Sequence, residues 1–377
     1  MNKYQKIVIK FGTSSLTHHT KKLSRRHILE FVHQIAQLHE NGVQVVIVSS
    51  GAMAAGREIL DNKLLDGSMP LKQMFAAVGQ GRLMQVWTDL FALYEIVVGQ
   101  VLLVRDDFSD RKRYLNMRDT LSSMLEHGII PIINENDAVT TEEIKVGDND
   151  NLSALVANLI SADLLVLLTD QQGLFTEDPR NNSKAKLISV VKDIDDSIRA
   201  LAGGVSKASG LGTGGMITKL EAAYLAAQSG TPTVIASAWE PQVLLDIAKG
   251  ESRGSMFLAK TTPRESWKRW LLSKKSKGII VVDRGAAAKL CKEGASLLPV
   301  GIIKVVSTFE RGAIVKIISE QDKPLAIGIS SYSSLEIDKL KKVKSTQIEK
   351  ILGYSYGPEI VHRDSMSLLK SNGISND

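Results

Sequence analysis

The chain has 377 residues with 44% hydrophobic content, enough for two domains and a sizeable core. That content and a mix of both charges describe an ordinary soluble globular protein, and no stretch approaches the roughly 18 uninterrupted apolar residues of a membrane span. The formal charge of +6 is uneven: residues 261–377 hold 20 Lys and Arg against 12 Asp and Glu, leaving 27 against 29 before them. Any attraction for polyanions therefore belongs to the C-terminal third. Cys291 is the single cysteine, which excludes an intrachain disulfide and fits a reducing compartment. "MNKYQKIVIKFG" runs straight into a strand pattern without the apolar core of a secretion signal, so a cytoplasmic protein without membrane attachment is expected.

In chain order, "YQKIVIKF" (4–11) reads as a buried β-branched strand. Ser24 is placed to cap a helix whose apolar face is Ile28, Phe31, Val32, Ile35 and Leu38, ending near Gly42. A strand "VQVVIV" (43–48) leads through "SSGAMAAG" to a long helix over about 70–94. The strand segment "EIVVGQVLLV", a helix through "RKRYLNMRDTLSSMLEHG" and the strand "IIPII" (129–133) come next. A helix from "DNDNLSALVA" to about 160, the strand "DLLVLLTD" (163–170), a helix through "KLEAAYLAAQSG" and the strand "TPTVIAS" complete the pattern. Strands alternating with helices imply parallel pairing and helices on both faces of a sheet. The expected fold is α/β: a three-layer αβα sandwich with a mainly parallel sheet over residues 1–260.

The charged stretch 261–276 breaks this rhythm and reads as a linker. Beyond it, "GIIVVD", "GIIKVVS", "GAIVKIIS" and "PLAIGIS", with a helix near "GAAAKLCKEG", predict a small, mostly β domain over 277–361.

In open α/β sheets ligands bind beyond the carboxyl ends of the strands, and polar clusters fall at those ends here. Lys10 and "GTS" follow the first strand, "SSGA" (49–52) the second, "NEND" (134–137) the strand "IIPII", and Thr169 and Asp170 the strand "LLVLL". Asp148, Asn149, Asp150 and Asn151 crowd a helix start that needs only one capping side chain. "GLGTGGMITK" (210–219) puts four glycines before a helix, where backbone amides attract phosphate and Lys219 can reach a terminal phosphate. The spacing is not that of a Walker loop. "HRD" at 362–364 lacks the Asn and the Asp-Phe-Gly of a protein-kinase catalytic loop and reads as surface tail. His18 and His19 lack partners at metal-ligand spacing and read as loop residues.

The ordered set "KFGTS", "SSGAMAAGR", "VGQGRL", "INENDAV", "KVGDNDNLSA", "LLTDQQGLFTEDPR" and "GLGTGGMITKLEAA" resembles the amino acid kinase superfamily. Within it the chain looks like the branch that phosphorylates the side-chain carboxylate of L-glutamate, the first step of proline biosynthesis. "ASLLPVGI" and "GYSYGPEIVHRD" resemble the PUA domain that many of that branch carry. The resemblance implies phosphoryl transfer from ATP to give L-glutamyl 5-phosphate. Lys10 and Lys219 are implied on opposite sides of the transferring group, with Asp150 between them. Thr169, Asp170, Thr213, Gly214, Gly215, Met216, Ile217, Thr218 and the two lysines would hold ATP. Ser50, Asn134, Asp137, Asp148 and Asn149 would hold glutamate. Mg2+ is expected to arrive with ATP, so no protein metal ligand is nominated. The resemblance further implies proline as a feedback inhibitor, near Asp107 to Arg118, a glutamyl phosphate reductase as a partner, and a homo-oligomer. Aspartate or N-acetylglutamate is the alternative acceptor, and RNA binding by the PUA-like domain the alternative or additional role.

Overall fold

The computed structural model describes residues 2–18, 20–60, 68–139, 148–203 and 215–369; the side chains of Asp148 and Gly203 lie outside that description. The chain parts into two compact units, Met1–Pro263 and Arg264 onward.

The first unit runs β1 (Lys6–Phe11), α1 (Thr13–Thr17), α2 (Arg25–Glu40), β2 (Gln44–Ser49), α3 (Ala52–Ile59), α4 (Met69–Ala92), β3 (Val98–Leu103), α5 (Arg105–Ser109), α6 (Arg111–Glu126) and β4 (Ile130–Glu135). It continues with α7 (Asp148–Leu159), β5 (Leu164–Thr169), β6 (Val190–Val191), α8 (Asp196–Gly203), α9 (Met216–Gln228), β7 (Thr233–Ser237), α10 (Val243–Lys249) and β8 (Ser255–Phe257). The strands form one sheet in the order β3-β4-β2-β1-β5-β7-β8-β6. From β3 to β7 every pairing is parallel. At the far edge β8 runs antiparallel to β7, carrying the two-residue β6 with it.

Side-chain alternation along β1 decides what the sheet covers and where Lys10 emerges. Ile7, Ile9 and Phe11 join a core with α2, α4 and α10, through Ile28, Phe31, Leu83, Trp87 and Leu244. Val8 points into the opposite core with α6, α7 and α9, through Leu121, Val156 and Ala223. Lys10 shares the parity of Val8, so it leaves the sheet on the face that α7 and α9 cover. The helix expected after Ser24 is α2, and the Ser24 hydroxyl accepts from the His27 amide at 3.4 Å.

Connections from β1 build the sheet first toward β2, β4 and β3, then return to β5 on its other side and proceed to β7. The order therefore reverses between β1 and β5, and the crevice outside their carboxyl ends is the natural ligand position in such a sheet. Two glycines shape its rim. Gly51, with φ of 103°, turns the chain from β2 into α3 in the left-handed region that side chains avoid. Gly79 in α4 lies against α3, where a Cβ would fall on the Ala52 carbonyl oxygen.

In the second unit β9 (Gly278–Val282), β10 (Ile302–Val305), β11 (Ile314–Ser319), β12 (Pro324–Ile329) and β13 (Met366–Leu368) form a sheet in the order β10-β9-β11-β12-β13. Its core holds Ile280, Val315, Ile317, Tyr332 and Val361. The Tyr332 hydroxyl donates to the Gly357 carbonyl at 2.6 Å and accepts from the Tyr356 amide at 2.9 Å, pinning the segment that leads to β13. Two differences from the sequence reading stand out. The expected linker contains an 11-residue helix, Pro263–Ser273, with Pro263 at its first position and Trp267 stacked on Trp270 at 4.9 Å. The "HRD" tail is a 3-10 turn, Arg363–Ser365, running into β13, which pairs with β12 past residue 361. Among the described residues no helix is long and apolar enough to cross a membrane.

Candidate active site

The carboxyl end of β1 delivers Lys10, and the first turn of α7 delivers Asp150 from above the same face. The Lys10 Nζ lies 2.7 Å from Asp150 Oδ1, with both side chains almost wholly buried. One turn into α9, Lys219 places its Nζ 3.3 Å from Asp150 Oδ2 and is equally buried. The Thr218 hydroxyl, with a single hydrogen to donate, lies 2.7 Å from the same Oδ2 and 2.9 Å from the Gly215 carbonyl, and the charged oxygen is the stronger acceptor. One carboxylate thus holds two ammonium groups that would otherwise repel each other.

Burial alone would raise the Asp150 carboxyl, but the charges of Lys10 and Lys219, with hydrogen bonds from Lys10 and Thr218, outweigh it and lower its pKa from 3.8 to about 2. Asp150 is therefore ionised at any physiological pH. Lys10 is pushed below its ordinary value, first by burial, against the opposing pull of Asp150, and further by Lys219. The cluster carries a net positive charge in a dry place, which suits an anion with several oxygens.

A second cluster sits on the β2 and β4 side of α7. Asn149 Nδ2 donates to Ser50 Oγ and to Asn134 Oδ1, each at 3.0 Å. Asn134, buried at the end of β4, accepts at the same oxygen from the Glu135 amide at 2.9 Å and donates Nδ2 to Gln80 Oε1 at 2.8 Å. Ser50 is held by its neighbour: Trp87 in α4 donates its indole N–H to Ser49 Oγ at 3.0 Å, and Ser49 donates to the Ser50 carbonyl at 3.0 Å.

At the end of β5, Thr169 donates to Asp170 Oδ1 at 3.0 Å; the threonine is buried and the aspartate exposed. Gly215 is the N-cap of α9, Met216 is half-buried, and Ile217 points outward with 44% exposure. Asp137 is half-buried, two residues past β4. Thr213, Gly214 and the Asp148 side chain lie outside the described residues, as do His19 and the remainder of the glycine-rich segment before Gly215. His18 lies in an aromatic group with His27 and Trp239. Among the described residues no group of three or more His, Cys, Asp or Glu could hold a metal ion.

Comparison with known proteins decides the family. The pattern of the amino acid kinase family matches residues 5–237, and that of the PUA domain residues 278–352. The chain belongs to the amino acid kinase family. A glutamate 5-kinase of Haemophilus influenzae (strain PittGG) is 52% identical over 370 residues, 98% of this chain and 100% of that one. A glutamate 5-kinase of Enterobacter sp. (strain 638) is 52% identical over 366 residues, covering 97% and 99%. A UMP kinase from Bacillus anthracis superposes with a TM-score of 0.49 at 16% identity, covering 69% of this chain and 98% of that one.

This amino acid kinase carries two groups in its site region that residue-by-residue reading passed over, Gln80 and Trp87; Ser49 was read only as part of the polar cluster 49–52. Gln80 and Trp87 lie on α4, far from the strand ends where polar clusters drew attention. Gln80 had one readable signal, a polar side chain set between two glycines in "VGQGRL".

Proposed function

We propose that this amino acid kinase transfers the γ-phosphoryl group of ATP to the side-chain carboxylate of L-glutamate, giving L-glutamyl 5-phosphate and ADP, the first step of proline biosynthesis from glutamate. The buried Lys10–Asp150–Lys219 cluster at the switch point of the sheet carries this reading, in a chain half identical to glutamate 5-kinases along almost its whole length.

The acceptor carboxylate is ionised at neutral pH and is already a nucleophile, so no general base is required. Its oxygen attacks the γ-phosphorus, the bond from that phosphorus to the β–γ bridging oxygen breaks, and ADP leaves. The work left to the protein is positioning and neutralising charge on the transferring oxygens. Lys10 and Lys219 supply the positive charge from two elements, and Asp150 fixes the geometry of both ammonium groups before substrate arrives. Thr218 locks the carboxylate rotamer. Thr169, Asp170 and the segment Thr213–Lys219 hold the nucleotide; Ser50, Asn134, Asp137, Asp148 and Asn149 hold glutamate.

Both Asp150 oxygens are engaged by Lys10, Lys219 and Thr218, so this carboxylate is not offered to a metal. That donor set fits Mg2+ carried by the phosphate oxygens of ATP and by water, as magnesium prefers. Bound together with ATP, such an ion would supply positive charge against the phosphate oxygens, beside that of Lys10 and Lys219. The same reading makes the protein cytoplasmic and homo-oligomeric, subject to feedback by proline and serving a glutamyl phosphate reductase that consumes a labile acyl phosphate. The PUA domain, in the basic third of the chain, is the candidate for RNA contact.

The test is incubation of the full chain with Mg-ATP, hydroxylamine and L-glutamate, with aspartate and N-acetylglutamate alongside, and assay of the trapped hydroxamate. Glutamate-dependent product, abolished by Lys219→Ala and Asp150→Ala, is expected. Product from aspartate or N-acetylglutamate in preference to glutamate reassigns the acceptor, and none from any acid overturns the reading.

A further inference from the structure

Three rings meet at the end of α1, and none of them has a part in the proposed reaction. His18 closes α1 in the left-handed region, with φ of 48°. His27 lies in the first turn of α2, and Trp239 just past the end of β7. The His27 imidazole stacks on the Trp239 indole at 4.8 Å and 29°. The His18 ring stands 4.9 Å from that of His27 and 4.8 Å, nearly edge-on, from that of Trp239. Phe31 meets His27 edge-on at 4.6 Å. His27 is buried, and its Nε2 has no hydrogen-bond partner among the described residues. Its Nδ1 lies 3.5 Å from the exposed carboxylate of Glu30, which places the hydrogen of the neutral ring on that nitrogen. A second proton would sit on Nε2, where no described residue offers it an acceptor.

The charges around the ring act in the same sense. Burial lowers the His27 pKa below 6.5, and the charge of His18 lowers it further, against the pull of Glu30. The loop after β7 presents the uncharged indole, and its Glu240 pairs with Arg253 Nη1 at 3.9 Å. The neutral imidazole is therefore the form that this packing fits. For a base with a depressed folded pKa, the stabilising contribution is present above pH 6.5 and is lost as pH falls through the lowered value.

The same rings tie together parts of the active-site rim. α1 begins after Gly12, where a Cβ would stand 3.6 Å from Lys10 Nζ, and the Leu16 carbonyl in α1 accepts from the Ser24 amide at 2.8 Å. Ala238, beside Trp239, donates its amide to the Thr169 carbonyl at 2.8 Å. We propose that His18, His27 and Trp239 form a proton-sensitive clasp, closed while His27 is neutral and opened by its protonation, which loosens α1 beside Lys10 and the loop beside Thr169. The cation turns toward water and leaves the indole, and the affinity for ATP falls with it. That last link rests on the proposed kinase reading; the clasp itself does not.

The experiment records intrinsic emission of the full chain between about pH 8 and 5, with KM for ATP from hydroxamate formation over the same range, where the acceptor carboxylate stays ionised. The proteins are the parent, Trp239→Phe, His18→Asn and His27→Phe. Asparagine tolerates the left-handed backbone at position 18, and phenylalanine keeps a ring at position 27 without a titrating nitrogen. The difference in emission between the parent and Trp239→Phe is expected to move to longer wavelength below pH 6.5 as the indole meets water. KM for ATP should rise by about tenfold per pH unit below that transition, as the closed form is depleted. His18→Asn removes a like charge, so both transitions should move to higher pH, which loss of packing alone would not produce. His27→Phe should abolish both. No emission transition in the parent, or one unmoved by His18→Asn, overturns the clasp, and these answers stand even where His27→Phe fails to fold. A folded His27→Phe that keeps the transition overturns it as well. An emission transition with no change in KM for ATP overturns the link to the nucleotide. A chain that makes no hydroxamate at any pH defeats the kinase reading instead, while emission still decides the clasp.

Discussion

Replacing Asp150 with asparagine is the sharpest test of the lysine cluster. The amide is isosteric and still accepts from Thr218, so what disappears is one negative charge between two ammonium groups at 2.7 and 3.3 Å. At these distances each attraction is on the order of 5 kcal/mol with an effective dielectric constant of about 20, before desolvation is counted. Breaking one member out of such a buried pair typically costs about 3–5 kcal/mol of stability, because an uncompensated charge stays behind. Part of that cost is relieved if Lys10 gives up its proton, since burial and Lys219 already press its pKa down and Asp150 is the main opposing influence. Asp150→Asn is therefore expected to lower the urea midpoint, to reduce kcat by on the order of 10²–10³, and to move the alkaline limb of the pH–rate profile to lower pH. The assays are urea unfolding followed by intrinsic fluorescence, and hydroxamate formation across pH under conditions where the variant is folded. A folded variant with kcat within about fivefold of the parent and an unmoved alkaline limb would refute the idea that Asp150 organises the lysines.

Thr218→Val removes the 2.7 Å hydrogen bond to Asp150 Oδ2 and should reduce kcat by about tenfold, with KM for glutamate little changed in steady-state kinetics. Asp150 titrates at about 2 when folded against 3.8 when exposed, so its contribution is present above pH 3.8 and is lost as pH falls toward 2. That contribution is about 2 kcal/mol, and urea titrations at pH 5, 4 and 3 should show a larger decline in the parent than in Asp150→Asn. Gly79→Ala places a methyl on the Ala52 carbonyl and forces α3 and α4 apart, with an expected loss of about 1–3 kcal/mol in the same unfolding assay. Trp87→Phe keeps most of the buried ring but leaves Ser49 without its indole donor, and should cost about 1–3 kcal/mol and raise KM for glutamate through Ser50.

The elements that sequence reading recovered are those with enough residues to display a period. Six-residue strands such as β1, β2 and β5, and helices such as α2 with its Ser24 cap, carry their own pattern. β6 and β8, with two and three residues, do not, and the antiparallel turn they introduce at the sheet edge is a tertiary choice. The helix Pro263–Ser273 was hidden by its charge density, which resembles a linker until the Trp267–Trp270 stack is seen. At the site, residues at strand ends and at helix starts were legible because polar groups there exceed what caps and turns require. Gln80 was not, because its importance depends on α4 lying beside the end of β4. Thr218 stood out beside the glycine-rich turn, but its bond to Asp150 requires knowing that α7 and α9 pack side by side.

That packing explains why the surplus polar residues at the start of α7 are consecutive. Neighbouring residues in a helix diverge by about 100°, so Asn149 and Asp150 must face different surroundings. Asn149 turns to Ser50 and Asn134, at the ends of β2 and β4, on one side of the sheet's switch point. Asp150 turns to Lys10 at the end of β1 and to Lys219 across on α9. In the proposed reaction, one helix terminus thereby sets the spacing between the side chain assigned to the acceptor and the carboxylate that aligns the two lysines. A displacement of α7 would move both together and keep their separation, whereas residues on separate loops would drift independently. Phosphoryl transfer to a carboxylate needs no base but depends steeply on how closely acceptor oxygen and phosphorus are aligned. Placing both recognition functions on adjacent residues of one rigid element is the simplest way to hold that alignment.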